Sequence, residues 1–297
     1  MTPGEPARVV LVHGAWHRGA CWAPVAAELE RSGAAVAAPD LPSDTPRAGH
    51  REYVDAVLAA IGPGTDGPPV VLVAHSLGGL VATVAADRLG PRRVRALVLV
   101  GAFLPRPGRA FAEVLRAEPD LLVPGYDAGV RRGEGRTTRW PDAATVAAGL
   151  YRGVADELAA GAAGAVAGPA ATVAGPAGTA VAPAGAVAGP AAAVALAADA
   201  DAVVAGAAGG LRAQDWTLLT EPCPLAAWPR VRTVAVVCAG DRVVAPAAGR
   251  RAAGGIGPGV AEVVELPGGH FPMLTRPVEL AGLIAGLATD GAAPGSP

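Results

Sequence analysis

One stretch limits the fold of this chain more than any other: Val70-Val71-Leu72-Val73-Ala74-His75-Ser76-Leu77-Gly78-Gly79-Leu80. A run of strand-forming residues ends in a serine, and a helix-type sequence starts at once. A chain that passes from strand to helix within two or three residues must turn around a strained position, with small neighbours so that helix and strand can approach. Ala74 and Gly78 stand two residues either side of Ser76, and Gly79 follows. The usual form of such a turn is Gly-x-Ser-x-Gly, so Ala74 departs from it by one methyl group. The turn lifts the Ser76 hydroxyl above the sheet edge as a candidate nucleophile. Leu77 then opens the helix with a backbone N–H that has no partner within the helix and faces whatever lies beside the serine. Taken alone, the pentapeptide does not separate a nucleophile from an incidental loop serine, because loose five-residue patterns recur by chance.

The surrounding pattern supplies the context. Arg8-Val9-Val10-Leu11-Val12-His13 is the continuous apolar run of a strand buried on both faces, and it opens into the small-residue loop Gly14-Ala15-Trp16-His17-Arg18-Gly19-Ala20. A helix is expected from about Cys21 to Arg31, a strand over 34–38, a helix around 51–61, the strand 70–74, a helix over 77–89 and another buried strand over 94–100. Strand and helix alternating at this spacing predict right-handed crossovers and a parallel sheet. Ligands of such sheets lie at the carboxyl ends of the strands, where His13, Ser76 and Gly101 all fall.

From Pro105 to about Trp228 the strand pattern stops, leaving helical patches such as Phe111 to Leu115 and Thr145 to Leu158. Strands return over 231–238 and 260–266, and a helix closes over 277–287. The predicted organisation is an α/β core of residues 1–104 and 229–297 with an inserted, mainly helical cap of residues 105–228. Within the cap, 161–198 carries no charged residue, and Pro169, Pro176, Pro183 and Pro190 recur every seven residues. Each interior proline costs a helix about 3 kcal/mol, and Ala and Gly bury too little surface to offset ordering entropy. A flexible or extended low-complexity insert without a functional element is therefore expected. The same prolines and the weak hydrophobicity argue against a membrane span.

Composition removes several classes of function. Net charge is −2 with no basic stripe, which argues against a nucleic-acid partner. All 24 Lys and Arg residues are arginine, so no Schiff-base lysine is at hand. Cys21, Cys223 and Cys238 are scattered without metal-ligand spacing and are expected as free thiols, Cys238 in the core. No metal and no cofactor are expected. The N-terminal residues Met1 to Pro6 lack the positive start and apolar run of a signal peptide, which gives a cytoplasmic expectation.

A serine hydroxyl needs a base to take its proton, and the base needs an acceptor that fixes its tautomer. Asp241 follows the apolar run Val234 to Cys238, and His270 follows the next run, Val263 to Leu266. The order Ser76, Asp241, His270, each just beyond a predicted strand, is the order of doubly wound hydrolases. The negative oxygen of a tetrahedral intermediate also needs donors, and losing one typically costs about 10²–10³ in rate. The Leu77 N–H is one candidate. Ala15 is the choice for the second, with Trp16 as the other possibility in the same loop. His13 and His75 are expected to line the site or tie loops together, and His17 and His50 to be loop residues.

The loop His13-Gly14-Ala15-Trp16-His17 with Cys21-Trp22, Pro39-Asp40-Leu41-Pro42, the Ala74 to Gly79 turn, Gly240-Asp241 and Pro267-Gly268-Gly269-His270 together resemble the α/β-hydrolase superfamily. More narrowly, they are similar to its branch of small bacterial and plant esterases and hydroxynitrile lyases. The resemblance spans the core nearly end to end, reaches Leu150-Tyr151 and Trp216 to Trp228 in the cap, and breaks off at the proline repeat. It implies Ser76 as nucleophile, His270 as base, Asp241 as orienting acid, and Ala15 and Leu77 as oxyanion donors. Plant hydroxynitrile lyases of this branch carry a lysine directly after the catalytic histidine, where this chain has Phe271, so lyase chemistry of that type is disfavoured.

The resulting expectation is a cofactor-independent serine hydrolase of a small or medium carboxylic ester, with Trp16, Tyr126, Tyr151 and Trp216 lining the pocket. A thioesterase or lactonase with the same triad, a non-hydrolytic lyase or cyclase, and a binding protein with an idle triad are the alternatives.

Overall fold

A computed structural model describes residues 7–62, 67–164, 200–256 and 261–289. The proline-repeat stretch 161–198 lies almost wholly outside the described residues, so the expectation of a flexible or extended insert is not addressed by them.

The fold is built on a six-stranded sheet of β1 (Arg8–Val12), β2 (Val36–Ala37), β3 (Val70–His75), β4 (Val94–Val100), and two later strands, Thr233–Cys238 and Ala261–Leu266. Every pairing in it is parallel. The spatial order is β2, β1, β3, β4, then the two later strands. The β-branched runs of β1, β3 and β4 are buried along nearly their whole length, as strands covered on both faces must be. The edge strand β2 keeps only two residues, shorter than the 34–38 expected, because the edge has one neighbour to pair with.

Helices α1 (Ala23–Arg31), α2 (His50–Ile61) and α3 (Gly78–Leu89) make the crossovers. The path steps outward from β1 to β2 and then returns past β1 to β3 and β4. Right-handed connections therefore place α1 on one face and α2 with α3 on the other. The order reverses between β1 and β3, and the crevice at their carboxyl ends is where open α/β sheets bind ligands. Tyr53, Val54, Val57 and Ile61 form the buried stripe of α2, whereas α3 is buried on nearly all sides.

Between β4 and the next sheet strand the chain leaves the sheet. This excursion contains α4 (Phe111–Ala117), β5 (Arg131–Arg132), β6 (Thr137–Arg139), α5 (Ala143–Ala148), α6 (Val154–Gly164), α7 (Ala200–Gly209), β7 (Gln214–Asp215) and α8 (Thr217–Thr220). The expected absence of strands here is corrected: β5, β6 and β7 form a three-stranded antiparallel sheet. Two- and three-residue strands are too short to show a period of two in sequence. The single helical patch expected over 145–158 is two helices, because the chain turns at Gly149 and at Gly153, where φ is +90°. The chain then returns through β8 (Thr233–Cys238), α9 (Pro246–Gly254), β9 (Ala261–Leu266), α10 (Pro272–Thr275) and α11 (Pro277–Thr289), which packs against α1. Among the described residues no helix is long and apolar enough to cross a membrane.

Candidate active site

Ser76 follows β3 directly and holds φ at +51°, in the left-handed region that L-residues avoid. Backbone contacts over-determine that conformation. The Ser76 N–H donates to the Val100 carbonyl (3.1 Å), and the Ser76 carbonyl accepts from the N–H groups of Gly79 (3.0 Å) and Phe103 (2.9 Å). Side chains are excluded just beyond the turn. A Cβ on Gly78 would stand 2.7 Å from the His13 carbonyl oxygen, and one on Gly79 would collide with the Phe103 carbonyl. Leu77 takes helical dihedrals (φ −51°, ψ −32°) ahead of α3, so its N–H belongs to the unpaired first turn.

Asp241 and His270 stand in the loops after β8 and β9. Their side chains are 2% and 3% exposed, and His270 Nδ1–H donates to Asp241 Oδ2 at 2.8 Å. The other carboxylate oxygen, Oδ1, accepts from the N–H groups of Val243 (2.8 Å) and Val244 (2.9 Å). With both oxygens committed, the carboxylate cannot swing away, and the proton on Nδ1 leaves Nε2 of His270 as the basic nitrogen. Gly101, at φ +49°, makes room for the pair: a Cβ there would lie 3.1 Å from both Asp241 Oδ2 and His270 Nδ1. From the other side, His75 Nε2–H donates to the His270 carbonyl at 2.8 Å.

The loop after β1 completes the ring. Gly14 packs so tightly on the serine that a Cβ on it would sit 3.0 Å from Ser76 Cβ. Among the described residues, the N–H groups of Ala15 and Leu77 make no hydrogen bond, which leaves both available to an anionic oxygen.

Ser76 and His270 border one cavity of about 330 Å³, walled by Ala15, Trp16, His17, His75, Phe103, Tyr126, Leu150, Trp216, Val243 and Phe271. A wider open groove elsewhere, bordered by Arg47, Glu134, Arg136, Asp215 and Glu221, contains no serine or histidine. Of the expected wall residues, Trp16, Tyr126 and Trp216 line the cavity. Tyr151 is corrected: it lies behind the wall, 1% exposed, with its hydroxyl 2.8 Å from His17 Nε2, and its neighbour Leu150 reaches the cavity instead. The Trp16 and Trp216 rings meet edge to face at 5.2 Å, and both indole N–H groups donate to Thr138 Oγ1 (3.0 and 2.8 Å). Among the described residues, no three His, Cys, Asp or Glu side chains are grouped to hold a metal ion.

The model of the alpha/beta hydrolase family matches residues 9–283. This chain belongs to the alpha/beta hydrolase family. Methylesterase 7 of Arabidopsis thaliana is 37% identical over 113 residues, 35% of this chain and 43% of that protein. A carbendazim hydrolyzing esterase of Nocardioides sp. is 37% identical over 130 residues, 41% of this chain and 51% of its own length. The chain thus spans about half the length of the curated relatives it matches. Among solved structures, a pyrethroid hydrolase superposes with a TM-score of 0.65 at 23% identity, covering 95% of this chain and 97% of that one. Polyneuridine aldehyde esterase does so with a TM-score of 0.66 at 15% identity, covering 94% and 98%. At these identities the two structures bear on the fold.

Three further histidines surround the site of this alpha/beta hydrolase family member, and burial keeps each of them neutral. It lowers the pKa of His13 to about 3 and of His17 to about 4, and holds His75 well below the usual range. Their hydrogen bonds fix the tautomers. His13 Nε2 accepts from the Leu41 N–H (2.9 Å), so its Nδ1–H donates to the Gly14 carbonyl (2.8 Å). His17 Nδ1–H donates to the Ala15 carbonyl (2.6 Å), so its Nε2 accepts the Tyr151 hydroxyl. His17, expected to be an ordinary loop residue, is therefore part of the site. The available signal was its position two residues beyond Ala15 in a loop of small residues.

Proposed function

We propose that the chain is a cofactor-independent serine hydrolase that cleaves a small or medium carboxylic ester through an acyl-enzyme on Ser76. The observation that carries this reading is the buried Asp241–His270 pair opening on the same cavity as the strained Ser76. His270 Nε2 accepts the Ser76 Oγ proton as Oγ attacks the acyl carbon. The negative oxygen that develops is met by the N–H groups of Ala15 and Leu77. His270 then returns the proton to the leaving alkoxide, and a water activated by the same nitrogen releases the acid. Asp241, locked by its Oδ1 bonds, holds the imidazole in the required tautomer and stabilises its charged form.

The curated relatives, each named an esterase, support this class of substrate. So does the wall of the cavity, which is mostly apolar and aromatic. Phe271 follows the base and packs edge to face on Tyr151 at 4.7 Å, so no cation stands there for a cyanide leaving group. The excursion acts as a cap over the core, since Tyr126, Leu150 and Trp216 all come from it.

A fluorophosphonate probe with mass-spectrometric mapping tests the nucleophile, and a panel of p-nitrophenyl acyl esters tests the reaction. A single adduct on Ser76 together with turnover of the short-chain esters is the expected outcome. Folded protein that takes no adduct and turns over no ester overturns the reading.

A further inference from the structure

The oxyanion loop is held by a part of the molecule far from it in sequence. Trp16 lies at φ +63°, a conformation costly for a bulky residue that persists only where surrounding structure enforces it. The enforcing groups come from the segment Arg212 to Asp215, which enters and forms β7. The Arg212 N–H donates to the Trp16 carbonyl (2.8 Å), and Arg212 Nε donates to the His17 carbonyl (3.1 Å). Gln214 Oε1 accepts from the Trp16 N–H at 3.3 Å.

The orientation of the Gln214 amide is determined by its other partners. Gln214 is fully buried, and its Nε2 donates to the Asp215 carbonyl (2.6 Å) and the Tyr53 hydroxyl (2.8 Å). A carbonyl can only accept, so the nitrogen must face Asp215, and the oxygen must face Trp16.

This fixes the plane of the Ala15–Trp16 peptide at both ends. Its carbonyl is bound by His17 and its N–H by Gln214. The preceding Gly14–Ala15 peptide has its carbonyl bound by His13, which leaves the Ala15 N–H as the free donor beside Ser76. Were the Ala15–Trp16 peptide to flip, the Ala15 carbonyl would face Gln214 Oε1, acceptor against acceptor, and the Trp16 N–H would face the His17 Nδ1–H, donor against donor, so this pair of partners holds the loop in one conformation.

We propose that Gln214 is a positioning residue of the oxyanion hole: it occupies the Trp16 N–H, locks the strained loop, and thereby selects Ala15 as the donor. This rests on the serine-hydrolase reading above. It assigns to the cap a part in transition-state stabilisation in addition to covering the site.

The test uses the full chain with p-nitrophenyl butyrate as substrate and butylboronic acid as a mimic of the tetrahedral adduct. Gln214→Met removes the acceptor at similar volume, and Gln214→Asn withdraws it by one methylene while keeping the amide, so it carries the test if the Met variant does not fold. The expected result is a fall in kcat on the order of 10² in the Met and Asn variants, with KM within about twofold. Boronate affinity should fall in parallel. A merely structural role would lower the melting temperature without linking kcat to boronate affinity. Folded Met or Asn variants with wild-type kcat and boronate affinity overturn the positioning role alone. Wild-type protein that turns over no ester and takes no phosphonate on Ser76 overturns both the role and the reading beneath it.

Discussion

The turn at Ser76 and the loop at Trp16 meet at one cavity, and each holds a non-glycine residue at positive φ, 51° and 63°. They are held by different means. The serine turn is fastened by backbone groups of β4 and the chain just after it, within about 30 residues, and by two glycines that let α3 start. The Trp16 loop is fastened by side chains and by a strand 198 residues away. Backbone fastening depends on small residues at fixed spacing and tolerates changes elsewhere. Side-chain fastening ties the Ala15–Trp16 loop to the excursion, so this side of the cavity answers to the segment 212–215, far along the chain from it.

The largest expected effect comes from a change that spares both. Asp241→Asn removes the carboxylate that sets the His270 tautomer, and kcat for a p-nitrophenyl ester should fall by roughly 10⁴ with the melting temperature little changed. A fall of less than tenfold would mean that the two loops alone sustain catalysis. Next in size is Gly78→Ala, which strikes the backbone-fastened turn from within. The added methyl meets the His13 carbonyl at 2.7 Å, so urea unfolding should report a loss of about 1–3 kcal/mol. An unchanged midpoint would show that the turn has slack and that the contrast between the two regions is overdrawn.

Acid conditions should act on the Trp16 side first. Burial lowers the pKa of His17 to about 4 and of His13 to about 3, from an unfolded value near 6.5, so the unfolded chain binds more protons between these limits. Stability is therefore complete above about pH 6.5 and declines as the pH falls toward 4 and then 3. Urea midpoints measured at pH 7 and pH 5 should show this decline, and His17→Gln should make it shallower. An identical slope in the variant would remove His17 from the account.

The same contrast explains what was legible in the sequence. Ser76 and Asp241 follow strands buried along their whole length, and His270 follows the partly buried strand β9 through Pro267-Gly268-Gly269, so the local pattern of small and apolar residues places all three without knowledge of the rest. Ala15 is placed for the same reason, at the end of β1. The strands of the small antiparallel sheet are not legible, since Arg131–Arg132 and Gln214–Asp215 offer two residues each and no apolar face. Nor is Gln214, because its meaning lies in a contact with Trp16 across most of the chain. The place of His17 is hidden by the same limit: a histidine in a loop acquires its partner from Tyr151, which α5 and the turn after it deliver. Aromatic character and a place in the cap point Tyr151 toward the wall, whereas burial and the His17 bond set it one layer back.

The excursion also reaches the histidine loop, on the side of the chain opposite in order to Gln214. Glu157, on α6, accepts the Gly269 N–H at 3.0 Å, one residue before His270. The helices α6 and α7 pack against each other, α6 leading out of the Glu157 contact and α7 leading into Arg212 and Gln214. Two helices packed on each other thus lead to opposite sides of one cavity, Glu157 beside His270 and Gln214 beside Trp16, so a substitution that parts α6 from α7 should loosen both contacts at once.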